Sequence, residues 1–148
     1  MIIEIRTKEK YAGNEEAGFI GRMAHAGLKV RAARLSRLYR VEGDFSRAEF
    51  GRLGADLLTD PITETCSLAR PRTGLSGWRV EVWLKDSVTD VVGESVKGAI
   101  ADVLGREPQA VRFGHAYYVA CESGPGLKRA VTKTLVNETV NKFGIEKI

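Results

Sequence analysis

The residues of this chain that could do chemistry are few: two histidines, two cysteines, three carboxylates spaced by four, and one dense run of cations. His25 and His115 have no Cys, Asp or Glu beside them at metal-ligand spacing, so they read as a helix-end residue and a strand residue near a sheet face. Asp86, Asp90 and Glu94 could together hold a metal or exchange protons. The simpler reading is electrostatic, because they approach and enter the first turn of a helix, where the dipole favours negative charge. Cys66 and Cys121 form no CxxC and read as small buried thiols in a reducing compartment. Gly18-Phe19-Ile20-Gly21 has the form of a GxxG loop but lies within a helical pattern, and no Walker lysine, GxGxxG or GxSxG occurs. No catalytic set, no cofactor and no metal site is expected.

The cations Lys29, Arg31, Arg34, Arg37 and Arg40 are dense enough to raise RNA binding. On a strand, however, Arg34 and Arg40 face one side while Arg31 and Arg37 face the other, which splits the patch. The net charge is +4, with +3 before Gly74 and +1 after it, too little for a dedicated nucleic-acid surface. A solvated edge that resists pairing, or a docking surface for an acidic partner, suits the run better.

What must position these residues is a module that occurs twice. IEIRTK (3–8) aligns with VEVWLK (80–85), matching Glu4 with Glu81 and Lys8 with Lys85. RLSRLYRV (34–41) aligns with RFGHAYYV (112–119), now one residue further apart, and DLLTDPI (56–62) with TLVNETV (134–140). Repeated modules tend to pack about a pseudo-twofold axis, as identical subunits do. Each half of the 148 residues is near the size at which an isolated core is marginal, so one cooperative unit is expected. The boundaries read as 1–69 for the first repeat, 70–77 for a linker rich in Pro and Gly, and 78–148 for the second. A hydrophobic content of 43% and a charged content of 28% are globular values, and no apolar run is long enough for a membrane span. A cytoplasmic protein is expected.

In the second repeat, Val80, Val82 and Leu84 alternate with polar partners as in a strand. Val92, Val96, Ala99, Ile100, Val103 and Leu104 keep helical spacing over 91–104, and Gly105 follows as a C-cap. Residues 110–121 alternate again, Leu127 to Leu135 mark a second helix, and 139–148 supply a last strand. The first repeat follows the same order. Its second helix opens on Ser46-Arg47-Ala48-Glu49, a capping box, with Phe45 and Phe50 placed as a hydrophobic staple. Residues 29–41 alone fit helix or strand, and their alternating partner in the second repeat argues for strand. Strand–helix–strand–helix–strand, with a long middle strand that could bend into two, gives a fold class of α+β. The units would be ferredoxin-like, of βαββαβ type, with antiparallel sheets and helices on one face.

The strings LKDSVTDVVGESVKGAI (84–100) and AVRFGHAYYV (110–119) resemble the PurS family, the small subunit of phosphoribosylformylglycinamidine synthase. Leu84, Lys85, Val88, Asp90, Gly93, Val111, Arg112 and Gly114 match that family's pattern, and His115 stands where the family usually has lysine. The first repeat resembles it over 34–64, including Asp60-Pro61, but departs from it in the early loop TKEKYAGNEEAG (7–18). The tandem arrangement is similar to the N-terminal region of long single-chain synthases, and equals a fused PurS dimer. The resemblance implies a non-catalytic subunit of purine biosynthesis that helps a PurL-type synthetase and a PurQ-type glutaminase associate and pass ammonia. It also implies partner-docking residues: Lys85, Asp90, Gly93, Arg112, Gly114 and His115, with Arg34, Ser36 and Arg37 in the first repeat. The partners expected are those two subunits or a second copy of the chain, with neither membrane nor nucleic acid. The competing reading is a small-molecule-binding regulatory module of paired ferredoxin-like units.

Overall fold

In the computed structural model, which describes all of residues 1–148, the ambiguous cation run is a strand from Ala32 onward, with Lys29 and Arg31 in the loop before it. Strands β1 (Ile2–Thr7), β2 (Ala32–Glu42), β3 (Glu64–Ser67), β4 (Trp78–Leu84), β5 (Ala110–Ala120) and β6 (Asn141–Lys147) form one antiparallel sheet. Their order is β3-β1-β2-β5-β4-β6. The helices are α1 (Gly13–His25), α2 (Arg47–Arg52), α3 (Val91–Leu104) and α4 (Gly124–Thr134), and α2 runs on into a π-helical segment, Leu53–Leu58. The architecture is mixed α/β, consistent with α+β. No helix is long and apolar enough to cross a membrane.

Two features differ from expectation. The middle strands do not bend: β2 and β5 each run unbroken for 11 residues, so each half supplies three strands rather than four. The halves also share one sheet instead of having one each. β2 pairs with β5 from Ala32 opposite Ala120 to Glu42 opposite Ala110, a ladder that satisfies two long edges which separate sheets would leave open.

Alternation sorts the strand residues onto two faces. All four helices cover one of them in two clusters. In the first, Phe19 and Met23 of α1 meet Leu127, Ala130 and Val131 of α4 over Ala33, Val80 and Val119. In the second, Phe50 and Leu53 of α2 and its extension meet Ile100 of α3 over Ile3, Ile5, Val41 and Val111. Each cluster therefore joins a helix from one half to a helix from the other.

The opposite face carries no helix. There the connection 68–77 crosses from β3, at one edge, to β4, and its Leu75 packs on Leu38, Trp83, Ala116 and Tyr118. Gly77 ends the crossing at φ +146°, so close to β5 that a Cβ would sit 2.2 Å from the Val119 carbonyl oxygen, and only glycine fits.

The start of α2 is as its residues require. The Glu49 amide donates to Ser46 Oγ (3.1 Å), the Ser46 amide donates to Glu49 Oε1 (2.9 Å), and the Phe45 and Phe50 rings meet edge-on at 5.7 Å. Arg106 from the second half donates to Glu49 at 2.8 Å and lies over the Phe45 ring. Arg106 first, and the Ser46 amide second, hold the Glu49 carboxyl down at about 2. A depressed folded pKa stabilises above the unfolded value, so this contribution should be intact at neutral pH and fade as pH falls from about 4.3 toward 2. Ser46→Ala should cost about 1 kcal/mol. Phe50→Ala, at a buried position, should cost about 3 kcal/mol or more. Urea unfolding checks both, and negligible effects from the two changes alike would contradict this helix start.

Candidate functional site

The nine residues expected to dock partners fall in three places. Lys85, Asp90 and Gly93 lie where β4 leads into α3. Arg34, Ser36, Arg112 and Gly114 belong to the helix-free face, and Arg37 and His115 to the helix-covered one.

The first place is tightly built. Asp90 is the N-cap of α3: its Oδ1 accepts from the Gly93 amide at 2.7 Å. Its Oδ2 accepts from the Phe113 amide, also at 2.7 Å, just beyond the last β4–β5 pair at Trp83 and Gly114, so the carboxylate continues the ladder where the strand stops. Gly93 lets the helix touch the strand, since a Cβ there would lie 2.2 Å from the Val111 carbonyl oxygen. Arg112 reaches over from β5 and donates to the carbonyls of Leu84, Lys85 and Val88, with Asp90 at 3.8 Å. The Trp83 ring rests on Gly114. Asp90, Gly93 and Gly114 are buried and spent inside the fold, and the bonds of Asp90 and Arg112 fix the loop that carries Lys85. Arg34 is likewise engaged, by Glu16 at 2.9 Å and Glu9 at 3.5 Å. Ser36 is buried, and its hydroxyl has no partner.

Behind Leu75 lies a network that residue types alone do not reveal. Arg79 of β4 is 3% exposed and donates through Nη1 to both oxygens of Glu4 (3.1 and 3.2 Å) and through Nε to Glu81 (3.1 Å). The Tyr118 hydroxyl donates to Glu4 at 2.7 Å and also contacts Arg79 Nη1. Burial, reinforced by the bond to Glu4, pushes the Tyr118 hydroxyl well above the ordinary tyrosine range, so it stays a donor. Burial opposes the Arg79 charge, but Glu4, Tyr118 and Glu81 together outweigh it and raise its pKa.

The third place is a cleft of about 450 Å³ between α1 and the helix-covered face. Arg37 and His115 are direct cross-strand partners on its floor. Arg37 is held by both oxygens of Glu64 and by the Leu58 carbonyl (3.3 Å), the last residue of the π-helical segment. His115 is exposed to solvent at the cleft; partial desolvation by the surrounding side chains first, and the Arg37 charge second, lower its pKa, which favours the neutral ring. It stands in an aromatic row on β5, 4.9 Å from the Phe113 ring and 6.3 Å from Tyr117, and Tyr117 stacks on Phe19 of α1 at 5.1 Å. Glu15, Gly18 and Arg22 complete the α1 wall. Of these residues only Arg37 and His115 were singled out for a role from sequence. The spacing 15, 18, 19, 22, one stripe of a helix, was the available signal for the others. No three His, Cys, Asp or Glu side chains are grouped as metal ligands.

Compared with models of known protein families and with curated proteins, the chain matches none.

Proposed function

We propose that the chain is a non-catalytic assembly subunit of phosphoribosylformylglycinamidine synthase, holding a PurL-type synthetase and a PurQ-type glutaminase in register for ammonia transfer. In this reading it is two PurS-like, ferredoxin-like repeats fused into a pseudo-twofold dimer. The observation that carries it is the β2–β5 register. Arg37, opposite His115, is also its counterpart 78 residues on in the repeat. Arg34 and Arg40 face Tyr118 and Arg112, which are the counterparts of Arg40 and Arg34 in that order. That exchange is what a dyad through the Arg37–His115 pair demands. The outer strands extend the relation, since Cys66 pairs with Ile5 as Phe143 pairs with Val82.

The same registers account for the π-helical segment. From Arg37 to Cys66 the first half has one residue more than the second has from His115 to Phe143. A π-turn closes its hydrogen bond across one extra residue, so an α-helix that gains a residue can absorb it there without moving either strand. The segment Leu53–Leu58 lies in that interval.

The residues that carry the PurS resemblance support the reading in a second way, because Asp90, Gly93, Arg112 and Gly114 converge on one loop. A rigid loop presenting an unpaired lysine, Lys85, suits docking. Size-exclusion chromatography with the two partner subunits tests this. Lys85→Glu should weaken the complex and leave folding intact, whereas Arg112→Glu would also release the loop. A complex indifferent to Lys85→Glu removes this loop from the interface. The cleft beside Arg37 and His115 favours the second reading, a module that binds a small ligand.

A further inference from the structure

We propose that the cleft between α1 and β5 binds a small zwitterion of the α-amino acid type. The inference rests on the small-ligand reading of this cleft and is independent of the assembly reading. The helix-free face also has a groove, of about 360 Å³ over β4 and β6, but its charges are already matched. Arg70 pairs there with Glu146, and Arg79 with Glu4 and Glu81. The cleft differs. Arg37 and Glu64 neutralise each other on its floor, which leaves one cation, Arg22, and one carboxylate, Glu15, both exposed and neither in an ion pair.

Glu15 and Arg22 lie two turns apart on one stripe of α1, about 10 Å along the helix axis, too far to meet without something between them. Arg22 and Tyr117 both line the cleft, and burial, only partly offset by the Arg22 charge, raises the Tyr117 pKa, so its hydroxyl stays a donor. A guanidinium fork and a hydroxyl lining one cleft suit a carboxylate. A phosphate dianion suits the site less well, with the unpaired Glu15 on its wall. Glu15 at the other end of the stripe suits an ammonium. Between them, the half-buried Tyr117 ring, stacked on the buried Phe19, offers an apolar surface to a side chain.

Gly18 lies mid-helix on the same stripe and lines the cleft, and a Cβ there would meet nothing within 4 Å, as at Gly21 of the same helix outside the cleft. Glycine costs the helix about 1 kcal/mol relative to alanine at such a position, and at Gly18 a long side chain would occupy the cleft. Outside the cleft lining, the Leu58 carbonyl at the end of the π-helical segment accepts from Arg37 and helps to fix it, and such turns are frequent at functional sites.

Calorimetric titration of the full chain with the natural α-amino acids tests the proposal. At least one should bind, and its N-acetyl and methyl-ester forms, each lacking one charge, should bind about tenfold or more weakly. Arg22→Gln and Glu15→Gln should each weaken it comparably. Gly18→Met should abolish binding while leaving the thermal midpoint unchanged or higher. Equal binding of the N-acetyl form, or binding that survives Gly18→Met, would overturn the proposal. Binding of nucleotides alone would overturn the zwitterion and keep a small-ligand module, whereas no binding from either class would sink both.

Discussion

Arg79→Met is expected to lower the unfolding free energy by about 3–5 kcal/mol, the cost of stranding a buried charge by removing its partner. The stranded group is Glu4, 4% exposed beneath the 68–77 crossing, which would keep only the Tyr118 hydroxyl. Arg79 binds both Glu4 and Glu81, one carboxylate from each half, so its loss also loosens the seam between them. Adding Glu4→Leu to Arg79→Met should recover much of the loss, because a buried ion pair replaced by apolar groups is often close to neutral. Urea unfolding of the two single variants and the double variant measures this. A change near zero for Arg79→Met would mean the pair is solvated in solution.

Separating the chain at its crossing should have a larger effect. Fragments 1–69 and 78–148 are each expected to be unfolded alone, and to regain cooperative structure when mixed. Alone, the first fragment exposes the faces of α1 and α2 that meet α4 and α3, and it lays bare one side of the eleven-residue β2 edge. At about 70 residues neither fragment has apolar burial to spare. Circular dichroism of each fragment and of the mixture checks this, and a cooperative thermal transition in either fragment alone would contradict it.

The sequence was most legible where a signal is local. Gly105 takes the left-handed conformation at the end of α3 (φ 74°), and Ser46 and Glu49 form their reciprocal pair, whereas the 33–42 strand could be read only through its alternating repeat partner. What depends on strands meeting across the sheet was hidden. Glu4 and Glu81 stood out as aligned, yet nothing local says that one arginine would bind both. Arg37 and His115 were both considered for docking, but only the β2–β5 register makes them neighbours. The single shared sheet and the unbent β2 and β5 have the same origin, because pairing partners lie 68 to 88 residues apart. Arg112 shows the limit from the other side: its place in the pattern suggested a surface contact, and its guanidinium is engaged by three backbone carbonyls.

The most direct measurement of the proposed role is phosphoribosylformylglycinamidine synthase activity of the two partner subunits, assayed with glutamine and with ammonium, with and without this chain. Alone, the chain should hydrolyse neither ATP nor glutamine. Added to its partners, it should restore the glutamine-dependent rate while leaving the ammonium-dependent rate nearly unchanged, since alignment of two active sites matters only when ammonia must travel between them. Glutamine-dependent activity that is the same without the chain would contradict the account.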